Sequence, residues 1–128
     1  MPTRSLNSSV IRWPDARTVE CALRQWAERT LAQHPEIRGI GYFGSYARGD
    51  WSVGSDLDVV VIVAAPSQPF ERRAAEWDML TLPVPVDLLV YTLSEWEALD
   101  RHTRFYQTLV REAVWVYTRD ELHSDAAR

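Results

Sequence analysis

The stretch FGSYARGDWSVGSDLDVVVIV, residues 43–63, decides how the rest of the chain is read. It holds a Gly-Ser break at 44–45, then Asp56 and Asp58 spaced i, i+2, then an apolar run rich in β-branched residues. A continuous run of that kind, here 57–64, is the pattern of a strand buried on both faces. Side chains alternate along a strand, so Asp56 and Asp58 share one face at its start, with Leu57 opposite. Gly44 has no Cβ and lets a phosphate come close to the backbone. Ser45 adds a hydroxyl, and a helical turn over 45–49 would aim free N–H groups at an anion. Arg48 is placed either to neutralise phosphate or to tie the loop to an acid.

Working outward, residues 37–43 read as a strand that the Gly-Ser break ends. Before it, Val19, Ala22, Leu23, Trp26 and Thr30 recur at helical spacing, predicting a helix over 15–33 that His34-Pro35 closes. Cys21 is expected on the inner face of that helix. After the buried strand come a helix over 70–80, with Phe70, Ala74, Trp77 and Leu80 inward, and a strand over 84–91. Pro85 marks the second strand as an edge or a beginning. Thr92 and Ser94 each have a glutamate three residues on, so either can cap a helix running to about 111. A short strand over 114–117 ends the order α-β-β-α-β-α-β. The fold class is a small α/β (α+β) domain, a mixed sheet with helices packed on it. Its expected limits are 15–118, between an irregular segment at 1–14 and a polar tail at 119–128.

Asp87 stands out because it lies in an otherwise apolar strand, where a carboxylate is costly unless paired, protonated or bound to metal. Bringing Asp56, Asp58 and Asp87 together would raise their pKa values by mutual repulsion, a conflict that a divalent cation removes. Oxygen ligands of this kind select Mg²⁺ or Mn²⁺. His34, His102 and His123 are scattered and offer no zinc set. The bland alternatives are a solvated turn for Asp56 and Asp58, a salt-bridged acid for Asp87 and a simple cap for Ser45.

Composition narrows the classes. The chain has 128 residues, which fits one domain. Its net charge of −4 argues against nucleic acid as the main partner. All 14 basic residues are arginine, which excludes chemistry that needs a lysine. One cysteine, no signal-like N-terminus and no apolar run long enough to span a bilayer point to a cytoplasmic protein.

Gly44-Ser45-Tyr46-Ala47-Arg48-Gly49 followed by Ser55-Asp56-Leu57-Asp58-Val59-Val60-Val61 resembles the signature of the DNA polymerase β-like nucleotidyltransferase superfamily. The resemblance is closest to its minimal nucleotidyltransferase branch, often the antitoxin half of HEPN/MNT toxin–antitoxin pairs. It implies that Gly44 and Ser45, with Arg48, bind the phosphates of a nucleoside triphosphate, most simply ATP. It implies that Asp56, Asp58 and Asp87 bind Mg²⁺ (or Mn²⁺), and that Asp87 helps deprotonate an acceptor hydroxyl. The implied reaction moves a nucleoside monophosphate to that hydroxyl and releases pyrophosphate. Larger members carry a further acceptor-binding domain, so a protein partner of HEPN type is the expected acceptor here. Two rivals stand beside this reading: a binding antitoxin with a vestigial nucleotide site, and transfer to a small molecule such as an aminoglycoside, for which a homo-oligomer could supply the second wall. Trp51, in the linker between the two motif halves, is a candidate contact for nucleotide, acceptor or partner.

Overall fold

The structure, a computed structural model, describes residues 13–65, 73 and 77–119. The expected end segments lie largely outside these residues. Helix α1 (Ala16–Gln33) starts where the Asp15 side chain accepts the Thr18 N–H at 2.9 Å, and it ends at His34. Val19, Leu23, Trp26, Ala27 and Thr30 form its buried stripe. Cys21 is exposed instead, because two residues from Val19 is more than half a helical turn away from that stripe.

Strand β1 (Ile37–Phe43) is followed by the one-turn helix α2 (Ser45–Arg48), strand β2 (Leu57–Val63) and strand β3 (Val86–Thr92). Helices α3 (Leu93–Glu97) and α4 (Arg104–Glu112) and strand β4 (Val114–Thr118) complete the order. The sheet order is β3-β2-β1-β4. β1 pairs antiparallel with both β2 and β4, while β2 and β3 run parallel, so the sheet is mixed as expected. β3 lies at an edge, consistent with Pro85 just before it.

Alternation along β2 divides the core in two. Leu57, Val59, Val61 and Val63 pack with Val19, Leu23 and Trp26 of α1. Val60 and Ile62 pack on the other face with Trp96 of α3 and Leu109 of α4. Asp58 is in phase with Val60 and Ile62, so its side chain belongs to the α3/α4 face.

Two helical expectations need correction. The span from the expected Thr92 or Ser94 cap to about 111 is not one helix. Asp100 accepts the His102 N–H through its side chain and the Thr103 N–H through its backbone carbonyl, and Thr103 then caps α4 by accepting the Tyr106 N–H. Short polar side chains that bind nearby backbone compete with helix in this way. Thr92, not Ser94, caps α3, in a reciprocal box with Glu95. In the expected helix at 70–80, Arg73 is helical but the chain from Trp77 onward is not. Asp78 accepts the Leu80 N–H at 3.0 Å to make a turn. Trp77 is buried, whereas Leu80 is 91% exposed rather than inward. Phe70 and Ala74 lie outside the described residues.

Candidate active site

The sheet itself assembles the candidate site. Phe43 at the end of β1 pairs with Asp58 of β2, and Asp58 pairs in register with Asp87 of β3. These three residues form one row across three strands, with neighbouring strands about 4.8 Å apart. In-register partners point to the same face, so the Asp58 and Asp87 carboxylates lie side by side. The start of β2 is fixed there because the Leu57 N–H donates to the Pro85 carbonyl at 2.9 Å.

Gly44 sits one residue beyond the row, with φ 79° and ψ −154°, a conformation open essentially to glycine alone. Its carbonyl accepts the Ala47 and Arg48 N–H groups at 3.0 and 2.9 Å, which winds α2, and Gly49 ends it in the left-handed region. Bare backbone at Gly44 also makes room for Asp58. A Cβ there would run into Oδ2 of Asp58 and stand 3.1 Å from its Cγ. The motif's glycine and its second aspartate are therefore in contact, although 14 positions separate them in the chain.

Asp58 is half-buried, while Asp56 and Asp87 are exposed. Burial pushes the Asp58 carboxyl above its usual range, and the charges of Asp87 and then Asp56 push it the same way, with Arg48 opposing. The three aspartates thus share one electrostatic field. The burial cost expected for Asp87 does not arise, because its position at the start of an edge strand leaves it in water. Among the described residues, no group of three or more Asp, Glu, His or Cys side chains converges to hold a metal ion. The chemistry of the set still fits a hard divalent cation. The donors are carboxylate oxygens, and one cation would cancel the repulsion that raises Asp58.

Ser45 opens α2 and is half-buried beside Gly44. Of the two roles open to Arg48, the geometry shows the tie to acids. Its Nε donates to Asp50 at 3.0 Å and its Nη1 to Glu112, at the end of α4, at 3.2 Å. Trp51 stacks on Tyr46 with ring centroids 5.6 Å apart and planes 9° from parallel. The Tyr46 hydroxyl in turn accepts the Trp13 indole N–H at 2.7 Å. Trp51 is thereby part of the packing that holds the 49–56 loop.

Asp50, Glu112 and Tyr46 were not singled out from sequence. Glu112 did leave a signal: an acid at the last position of a helix, where the helix dipole disfavours negative charge.

The family model for the nucleotidyltransferase domain matches residues 23–116, most of the chain, from within α1 to within β4. The chain belongs to the nucleotidyltransferase domain family. Solved structures share its fold at low identity. A candidate nucleotidyltransferase from Sulfolobus solfataricus is 18% identical with a TM-score of 0.60, covering 83% of this chain and 86% of that one. A toxin–antitoxin structure with AMP-PNP is 19% identical with a TM-score of 0.53, covering 81% and 80%. A mutant of the toxin–antitoxin MntA–HpeT is 16% identical with a TM-score of 0.52 over the same shares. No curated protein matches. Within this nucleotidyltransferase domain, the row from Phe43 to Asp87 and the Gly44 turn lie inside the matched residues. Among the described residues, no helix is long and apolar enough to cross a membrane.

Proposed function

We propose that this nucleotidyltransferase domain uses Mg²⁺ and ATP to move AMP to a hydroxyl side chain of a HEPN-type protein, acting as its antitoxin in the cytoplasm. The observation that carries the reading is the contact of Gly44 with Asp58 in a row that continues to Asp87. A turn backbone free of a side chain lies beside acidic side chains, an arrangement that suits transfer from a metal–triphosphate complex. The similarity to toxin–antitoxin structures, one of them with AMP-PNP, supports both the nucleotide and the kind of partner.

In this reading the Gly44 backbone lets the β- and γ-phosphates approach, and the Ser45 hydroxyl donates to them. Asp56, Asp58 and Asp87 would hold Mg²⁺, which supplies charge neutralisation for the phosphates. The acceptor oxygen attacks the α-phosphorus, the bond to the bridging β-phosphate oxygen breaks, and pyrophosphate leaves. Asp87 is the exposed member of the row, on an edge strand that a partner can reach, and it takes the proton from the acceptor hydroxyl.

Incubation with α-labelled ATP, Mg²⁺ and a lysate of the host tests this, with the Asp56→Asn/Asp58→Asn variant as control. A labelled protein band that needs both metal and aspartates is the expected result, and mass spectrometry of that band identifies the acceptor. Nucleotide binding without any labelled band would replace transfer with binding alone, or with a small-molecule acceptor. No nucleotide binding at all would overturn the reading.

A further inference from the structure

The Arg48 guanidinium is held between two carboxylates, and the more telling of them is Glu112. Its side chain is only 13% exposed, against 44% for Arg48 and 62% for Asp50. It is also the last residue of α4, where the helix's own carbonyls repel an anion. A poorly solvated carboxylate in that position needs a cation, and Arg48 supplies it across 64 residues of sequence. A second contact joins the same two elements. Phe43, one residue before Gly44, meets Phe105 of α4 edge-on with ring centroids 6.3 Å apart. The Gly44 turn is therefore attached to α4 on both sides, by Phe43 before it and by Arg48 at its end.

We propose that Glu112 is a positioning residue: by fixing Arg48 it seats the Gly44–Arg48 turn on α4, so that Arg48 serves the turn's geometry rather than a phosphate. Two carboxylates around one guanidinium leave a local charge of −1, which repels an anionic ligand. Within the turn Ala47 and Arg48 donate to the Gly44 carbonyl and Gly49 to that of Ser45, so exchange at these amides reports any loosening of the turn. The consequence for nucleotide rests on the function proposed above. The consequence for the turn does not.

The sign of one substitution separates the possibilities. Glu112→Gln removes a negative charge near an anion site, so electrostatics alone predicts tighter binding of Mg²⁺–ATP. Loss of seating predicts weaker binding. Calorimetric titration with Mg²⁺–ATP, together with hydrogen exchange of the unliganded protein, reads both effects. For Glu112→Gln, affinity is expected to fall about three- to fivefold, the scale of one part-exposed ion pair. Exchange at the Ala47, Arg48 and Gly49 amides should quicken while amides in β2 stay protected. Arg48→Gln should lose a similar amount, and Arg48→Gln/Glu112→Gln no more than either alone. The reversed pair Arg48→Glu/Glu112→Arg should recover affinity and protection relative to Arg48→Glu, which also covers the case in which a single variant folds poorly. Equal or tighter binding by Glu112→Gln with unchanged exchange would overturn the proposal, as would a reversed pair no better than Arg48→Glu. If wild type binds no Mg²⁺–ATP, the proposed function fails, and the exchange rates alone decide whether Glu112 positions the turn.

Discussion

Gly44→Ala tests whether the contact at the centre of the site is real. The substitution adds one methyl group with two separable effects. The first is backbone strain: at φ 79° and ψ −154° an L-residue is held in a region that costs on the order of 1–3 kcal/mol. The second is collision with the Asp58 carboxylate, which must rotate or shift to make room. Rotating one half-buried side chain costs little stability. It does remove the carboxylate from the row it forms with Asp87.

The expected result is therefore a split outcome. Melting temperature falls by about 5–10 °C, as a loss of about 2 kcal/mol produces in a domain of this size. Mg²⁺–ATP binding falls well beyond what the melting shift explains. Gly49→Ala is the control, because Gly49 has φ 89° but nothing within 4 Å of a Cβ. It should cost about 1–2 kcal/mol of backbone strain and leave Asp58 where it is. Repeating Gly44→Ala on an Asp58→Ala background removes the collision and retains the strain, so the cost should drop by at least about 0.5 kcal/mol. Differential scanning calorimetry and nucleotide titration measure wild type, Gly44→Ala, Gly49→Ala, Asp58→Ala and Gly44→Ala/Asp58→Ala. If Gly44→Ala melts within about 1 °C of wild type and binds nucleotide normally, the packing of Gly44 on Asp58 is not as described.

Asp58→Asn should stabilise the metal-free protein while abolishing metal-dependent nucleotide binding. The Asp58 pKa is raised on folding, so the folded state favours the protonated form: the benefit is full below the ordinary carboxylate range and is lost as pH rises through the raised value. The gain in melting temperature should thus be present at pH 7 and shrink towards acid pH, and a gain independent of pH would refute the assignment. Glu95 has the opposite sign, held down to about 2 by Arg73 and then by the Thr92 backbone. That contribution is present above about 4.5 and lost as pH falls towards 2; with Glu95 42% exposed, screening leaves about 1–2 kcal/mol, and Glu95→Gln should flatten that part of the acid unfolding curve. Trp51→Ala removes the stack on Tyr46 and should cost about 1 kcal/mol in thermal unfolding, with a matching change in near-ultraviolet circular dichroism.

What could be read in advance follows from how local each feature's cause is. β1, β2 and the Gly44 turn are dictated by neighbours in sequence: a β-branched run, a glycine where φ is positive, a break between them. Their bounds were legible almost to the residue. The single helix expected from the Thr92 or Ser94 cap to about 111 is broken for an equally local reason. Asp100 and Thr103 are a stop and a cap inside that span, and a capping signal at Thr92 or Ser94 fixes where a helix begins without showing where it ends. Cys21 is exposed rather than inward because it lies more than half a helical turn from both Val19 and Leu23 of the buried stripe.

The candidate site divides along the same line. Alternation places Asp58 in phase with Val60 and Ile62, whereas Asp56 stands just before β2, outside the alternation, and Asp87 is marked in sequence as an acid among apolar neighbours. That Asp87 is the in-register partner of Asp58 depends on strand order, which no local pattern encodes. Arg48 marks the boundary most sharply. Its motif position showed that it would meet an anion, and left open whether phosphate or carboxylate. Only the return of the chain through α4 brings Glu112 to 3.2 Å and supplies a carboxylate partner in the folded molecule. A motif thus specifies the chemistry a side chain can perform, while distant packing decides which partner it meets. For this nucleotidyltransferase domain, substitutions on α4 are therefore expected to alter the Gly44 turn without touching a motif residue.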